Sequence, residues 1–127
     1  MEADLLTLVA TASGLPVSRV NWGEAPAASR GAYVVLHLIS WSEGHTQQGP
    51  DGLNTTRVQV DCYAPGWVTA RTIGGAVKAA LDGYRGGVFR GIFADGMRLT
   101  REGGANAGEA SYRASLDFIV NWRTDNG

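Results

Sequence analysis

The chain has 127 residues, 44% of them hydrophobic, with one cysteine and a net charge of −1. That length fits one domain, residues 1–127, which buries roughly two thirds of its unfolded surface and needs no metal or disulfide to fold. Near-neutral charge argues against sequence-independent nucleic-acid binding, and one cysteine excludes a disulfide framework or a multi-cysteine metal site within these residues.

The 18 glycines, about twice the usual share and without a period, point to many turns. Glu2–Ser13 reads as a short helix with Leu5, Leu6 and Val9 on one stripe. Glu2 and Asp4 suit its positive end, and Gly14 with Pro16 stops it. Acidic residues stand where a signal peptide needs basic ones, and no segment approaches ~18 continuous apolar residues. The expectation is a soluble protein made in the cytoplasm, away from membranes. Residues 17–22 read as a brief strand, and 23–31, GEAPAASRG, as a loop.

Residues 33–41, YVVLHLISW, form a strong strand. Val34, Leu36 and Leu38 lie on one face, Tyr33, Val35, His37 and Ile39 on the other. Two apolar faces predict a central strand covered on both sides. His37 then reads as a hydrogen-bonded structural histidine in preference to a catalytic base. Residues 42–54, SEGHTQQGPDGLN, read as a polar loop holding Glu43, His45, Gln47, Gln48 and Asp51. It is either a solvated hairpin tip or a contact loop reaching a neighbouring subunit or a channel.

From 57 to 63 the residues alternate. Val58, Val60 and Cys62 point inward, and Arg57, Gln59, Asp61 and Tyr63 outward. Ala64, Pro65 and Gly66 end the strand. Ala70, Ile73, Val77 and Leu81, with Ala76 and Ala80 beside them, then mark a helix stripe closed by Gly83. This strand and helix are the expected nucleus of the core, with Cys62 a buried hydrophobe. Residues 85–91 are a glycine-rich turn. Residues 91–101 are a strand with Gly96 as a bulge or bend, and 102–108 a hairpin loop. From 110 to 123 alternation is longest, with Tyr112, Ala114, Leu116, Phe118, Val120 and Trp122 inward. The fold class is therefore α+β, a single domain with a mostly antiparallel sheet of about four or five strands packed by two helices.

Arg57 and Asp61 are spaced four apart, as are Arg113 and Asp117. On neighbouring antiparallel strands each arginine faces the other strand's aspartate, giving an exposed ionic lattice or a subunit interface. No nucleophile–base pair, metal spacing or phosphate loop is present. The residues thus offer no catalytic, cofactor or metal site, and the chain is not expected to be an enzyme. Trp22, Trp41, Trp67 and Trp122 sit at element ends, where they cap a core or anchor an interface.

Several stretches, in order, carry a family resemblance: a short helix ending before a glycine, YVVLHLIS, a polar stretch ending GPDGL, RVQVDCYAPGWVTARTIGGAVKAALDG, and a last strand SLDFIVNWR. Together they resemble the tail-completion, or tail-terminator, proteins of long-tailed bacteriophages and gene transfer agents. The resemblance implies a structural virion protein in the neck of the tail, assembled in the host cytoplasm. It implies a homo-hexameric ring that caps the head-proximal end of the tail tube, stops polymerisation and joins the tail to the head connector, with DNA passing through. Its partners would be itself, the tail-tube protein and the connector or stopper protein. A head–tail connector of the same particle and a small-ligand-binding domain or enzyme are the other two readings. The candidate interface residues are Glu43, His45, Gln47, Gln48, Asp51, Arg57, Gln59 and Asp61.

Overall fold

A computed structural model describes residues 1–26, 31–46, 49–103 and 110–123. Its elements are α1 (Glu2–Ser13), β1 (Val20–Trp22), β2 (Tyr33–Thr46), β3 (Gly49–Ala64), α2 (Trp67–Leu81), β4 (Phe89–Gly103) and β5 (Ala110–Arg123), with a short 3-10 turn at Val17–Arg19. The strands make one five-stranded sheet in the order β1-β2-β3-β5-β4. β1 runs parallel to β2, and every other pair is antiparallel. This is the α+β architecture that the periodicities predict. In outline, two hairpins, β2–β3 and β4–β5, meet along one seam between β3 and β5.

Alternation decides which face is dry. Val34, Leu36, Val58, Val60, Cys62, Leu116, Phe118 and Val120 share one face and are fully buried. Leu5 and Val9 of α1 and Ile73, Val77 and Leu81 of α2 join them in a single core. The stripe on α2 is narrower than expected, since Ala76 and Ala80 are exposed. Gly74 is buried instead. A Cβ there would stand 2.8 Å from the Ala114 Cβ and 2.9 Å from the Met97 sulfur, so the missing side chain is what lets α2 lie against β4 and β5. Cys62 lies in this core, and burial, reinforced by the neighbouring Asp61 charge, pushes its thiol up to about 12.

Three expectations are corrected. First, residues 42–46 and 49–54 are strand rather than loop. β2 continues to Thr46 and β3 starts at Gly49, and the two ends pair Glu43 with Asn54, His45 with Pro50 and Thr46 with Gly49. Polar composition hid a backbone ladder, because backbone pairing does not depend on apolar side chains. Second, both helices pack on one face of the sheet, so β2 is not covered on both sides. Leu38 and Ile39 are largely exposed. Third, the strand predicted over 17–22 is shorter, since the 3-10 turn takes its first half.

Strict alternation also fails inside β2. Leu38 pairs with Val58 but Ser40 pairs with Arg57, which leaves Ile39 as a one-residue bulge. The bulge shifts the phase, so Trp41 emerges over the inner face beyond the helices. There its Nε1 donates to Asn54 Oδ1 at 2.9 Å, and its ring lies 5.9 Å from that of Trp122. Trp122 Nε1 donates to the buried Thr56 Oγ1, also at 2.9 Å. A second bulge in β4, between Ala94 and Met97, contains the predicted Gly96, whose φ is 108°.

Past α2, residues 82–88 fold against the outer edge of β4. Gly83 takes a left-handed φ of 82°, as a residue just after a helix end requires. Its N–H donates to the Ile92 carbonyl, Ile92 N–H donates to Tyr84, and Ala94 N–H donates to Asp82 Oδ1.

Candidate interface on the open face of the sheet

The face without helices is a polar lattice fixed by strand register. One row across it is Tyr33, Tyr63, Arg113 and Thr100. The next is Val35, Asp61, Ser115 and Arg98, then His37, Gln59 and Asp117, then Arg57, Ile119 and Phe93. β3 lies mid-sheet, so its side chains are walled on both sides by those of β2 and β5.

Asp61 shows the effect. It was expected on the exposed side, yet it is 1% exposed. Its carboxylate accepts from Gln59 Nε2 at 3.0 and 3.1 Å. His37 Nε2 stands 3.2 Å away and Arg113 Nη1 4.0 Å away. A buried carboxylate is tolerable only when hydrogen-bonded and paired, and these three side chains supply both. His37 thus has an acidic neighbour across the β2–β3 pair, one that sequence proximity could not reveal.

The predicted arginine–aspartate lattice forms in part. Arg113 does reach Asp61, but Arg57 and Asp117 do not meet. Asp117 accepts from Arg98 Nη1 at 3.0 Å, and Arg57 stands 3.8 Å from Asp95. The β3–β5 register places Arg57 opposite Ile119 and Gln59 opposite Asp117, one step out of the alignment that the expected pairing requires. The two exposed pairs are each worth about 0–1 kcal/mol. Arg57, Arg98 and Arg113 balance Asp61, Asp95 and Asp117, so this lattice carries no surplus of either sign.

At the end of the face nearest α1, the Tyr33 and Tyr63 rings stack at 4.7 Å, and the Arg19 guanidinium lies 5.8 Å from the Tyr33 ring. Burial and the Tyr63 hydroxyl raise the Tyr33 pKa, with Arg19 opposing. Of the other candidate residues, Glu43 is exposed on β2. His45 and Asp51 fall on the outer ends of β2 and β3, and Gln47 and Gln48 lie outside the described residues. The loop predicted over 102–108 also falls mostly outside them. Sequence reading missed Arg98, Ser115 and Tyr33. Parity alone sets Tyr33 beside His37 and Ser115 beside Arg113 on this face, whereas Arg98 is placed only once the Gly96 bulge is known.

The side chains on this face offer hydrogen bonds and charge pairs. Asp61 on β3 separates His37 on β2 from Ser115 on β5, strands about 10 Å apart, so no serine–histidine–aspartate relay is assembled. Among the described residues no cluster suits a metal ion, and no helix is long and apolar enough to cross a membrane.

The family described as tail completion protein gp17 matches this chain over residues 2–122. Among solved structures, a chain from the virion of a native gene transfer agent (GTA) particle is similar, with a TM-score of 0.63 and 20% identity. The match covers 91% of this chain and 84% of that one. At that identity the likeness is one of fold. Comparison with curated proteins finds no match.

Proposed function

The chain belongs to the tail completion protein gp17 family, and from that membership we propose that it caps the head-proximal end of a tail tube as a homo-hexameric ring. The coarser role, a structural protein of the tail, comes with the family. The finer one is that the ring stops tube polymerisation, joins the tail to the head connector and lets DNA pass through.

One observation carries the reading: the family match runs through both helices and all five strands. The open face supports it. A head-to-tail ring needs two different complementary patches on each subunit, and a lattice of balanced charge can meet a neighbour without holding DNA by its phosphates. Glu43, Arg57 and Gln59 are the proposed contact residues, while Asp61 holds Gln59 and Arg113 in position from beneath.

The test mixes purified protein with its tail-tube protein and follows the products by negative-stain microscopy. Rings on one end of length-limited tubes are expected, with the labelled subunit at the head-proximal end of whole particles. A protein that neither binds tube ends nor occurs in particles would overturn the proposal, and a label elsewhere in the neck would reassign it to the connector.

A further inference from the structure

β1 covers the outer edge of β2 only from Val34 to Leu36, yet β2 runs on to Thr46. Among the described residues, the last backbone hydrogen bond made to that edge is from Gly23 N–H to the Leu36 carbonyl, and none reaches Leu38 to Ser42. Across the sheet, β4 is the outermost strand. Residues 82–88 cover its outer edge at Ile92 and Ala94, and beyond the bulge it continues to Gly103. In an antiparallel ladder both backbone groups of every second residue point the same way. Carried through the two bulges, that alternation turns the backbone of Leu38 and Trp41 outward on β2, and of Met97 and Leu99 outward on β4.

The two edges complement one another. β2 pairs antiparallel with β3, β3 with β5, and β5 with β4, so β2 and β4 point in opposite directions. A second copy in the same orientation therefore presents its β4 antiparallel to this β2. Leu38 and Trp41, 45% and 58% exposed, would gain cover.

We infer that the sheet continues from one subunit to the next, with the β2 edge around Leu38 and Trp41 receiving the β4 edge around Met97 and Leu99 of a second copy. The inference rests on the ring reading and adds an edge contact to the open-face residues proposed for it. The β2 stretch lies toward the Asn54 end of the sheet and the β4 stretch toward the Arg113 end. Neighbours must therefore be staggered along the strands, which tilts them in the way a closed sheet requires.

Hydrogen exchange, read residue by residue on the isolated chain and on rings assembled with the tail-tube protein, tests this. The amides of Leu38, Trp41, Met97 and Leu99 are expected to slow by about tenfold or more on assembly. Rings that form with these four amides unchanged overturn the inference and leave the ring reading standing. Absence of any ring by microscopy overturns both. Leu38→Pro adds a second check, because it removes an outward N–H without removing a β2–β3 bond. A folded variant that assembles as well as the parent protein also overturns the inference.

Discussion

His37 Nε2 stands 3.2 Å from Asp61 Oδ2 across the β2–β3 pair, on a sheet face that no helix covers. The carboxylate is buried although its face is open, because Gln59, His37 and Arg113 form its roof. Asp61→Ala is expected to cost about 1–3 kcal/mol, since it strands the partners of a buried acceptor. His37→Ala should cost less, because that imidazole is 37% exposed. Urea unfolding of both single variants and the double variant should give a coupling of at least about 0.5 kcal/mol. Strict additivity would mean that the two side chains do not interact.

Adjacent glycines on α2 should respond in opposite directions. A methyl at Gly74 would press on Ala114 and Met97, whereas a Cβ at Gly75 meets nothing within 4 Å. Gly75→Ala should therefore stabilise by about 0.5–1 kcal/mol through helix propensity. Gly74→Ala should destabilise by about 1–3 kcal/mol through overpacking. Thermal melts of the two variants provide the comparison, and equal shifts would show that α2 does not lie as close to the sheet as described.

Beyond the helices, the inner face depends on polar contacts. Thr56→Val keeps the shape but leaves Trp122 Nε1 without its acceptor in a buried site. A loss of about 1–3 kcal/mol is expected, with a changed tryptophan emission spectrum in the folded state. An unchanged spectrum and midpoint would remove that hydrogen bond from the account.

The Cys62 thiol, raised to about 12 by burial, links stability to alkaline pH. The unfolded thiol ionises near pH 8.5, while the folded one holds its proton. Between those values the folded state binds more protons, so stability falls as pH rises. Cys62→Ala should lower stability at neutral pH by about 1 kcal/mol through the cavity it leaves. It should also flatten the decline between roughly pH 9 and 11 relative to the parent protein. Parallel declines in the two proteins would count against a buried neutral thiol. In the native protein the same thiol should resist aromatic disulfide reagents.

The sequence made the strands and helices legible wherever side-chain period and burial agree, as in 57–63, 67–81 and 110–123. It misled in two physical situations. Residues 42–46 and 49–54 have strand backbone but mostly polar side chains, and periodicity records only side chains. At Ile39 and Gly96 a single extra residue changes the phase, and every later residue changes face with it. The candidate lattice was therefore only half visible. Arg57, Gln59, Asp61 and Arg113 were placed on the correct face, but the partners His37 and Arg98 depend on register between strands distant in sequence.

The seam between the two hairpins has a consequence for the order of events in folding. The bonds from Thr55 to Asn121 and from Trp122 to Thr56 each bridge 66 positions of chain, whereas each hairpin closes locally. Loop closure over such a span costs more chain entropy. The hairpins should therefore form early and zip together late, a sequence that kinetics of Thr55→Ala against Val34→Ala would expose. Until the seam closes, each hairpin offers an edge that an identical hairpin from another chain can occupy, so the same ladder that finishes the monomer sets its main route to strand exchange at high concentration.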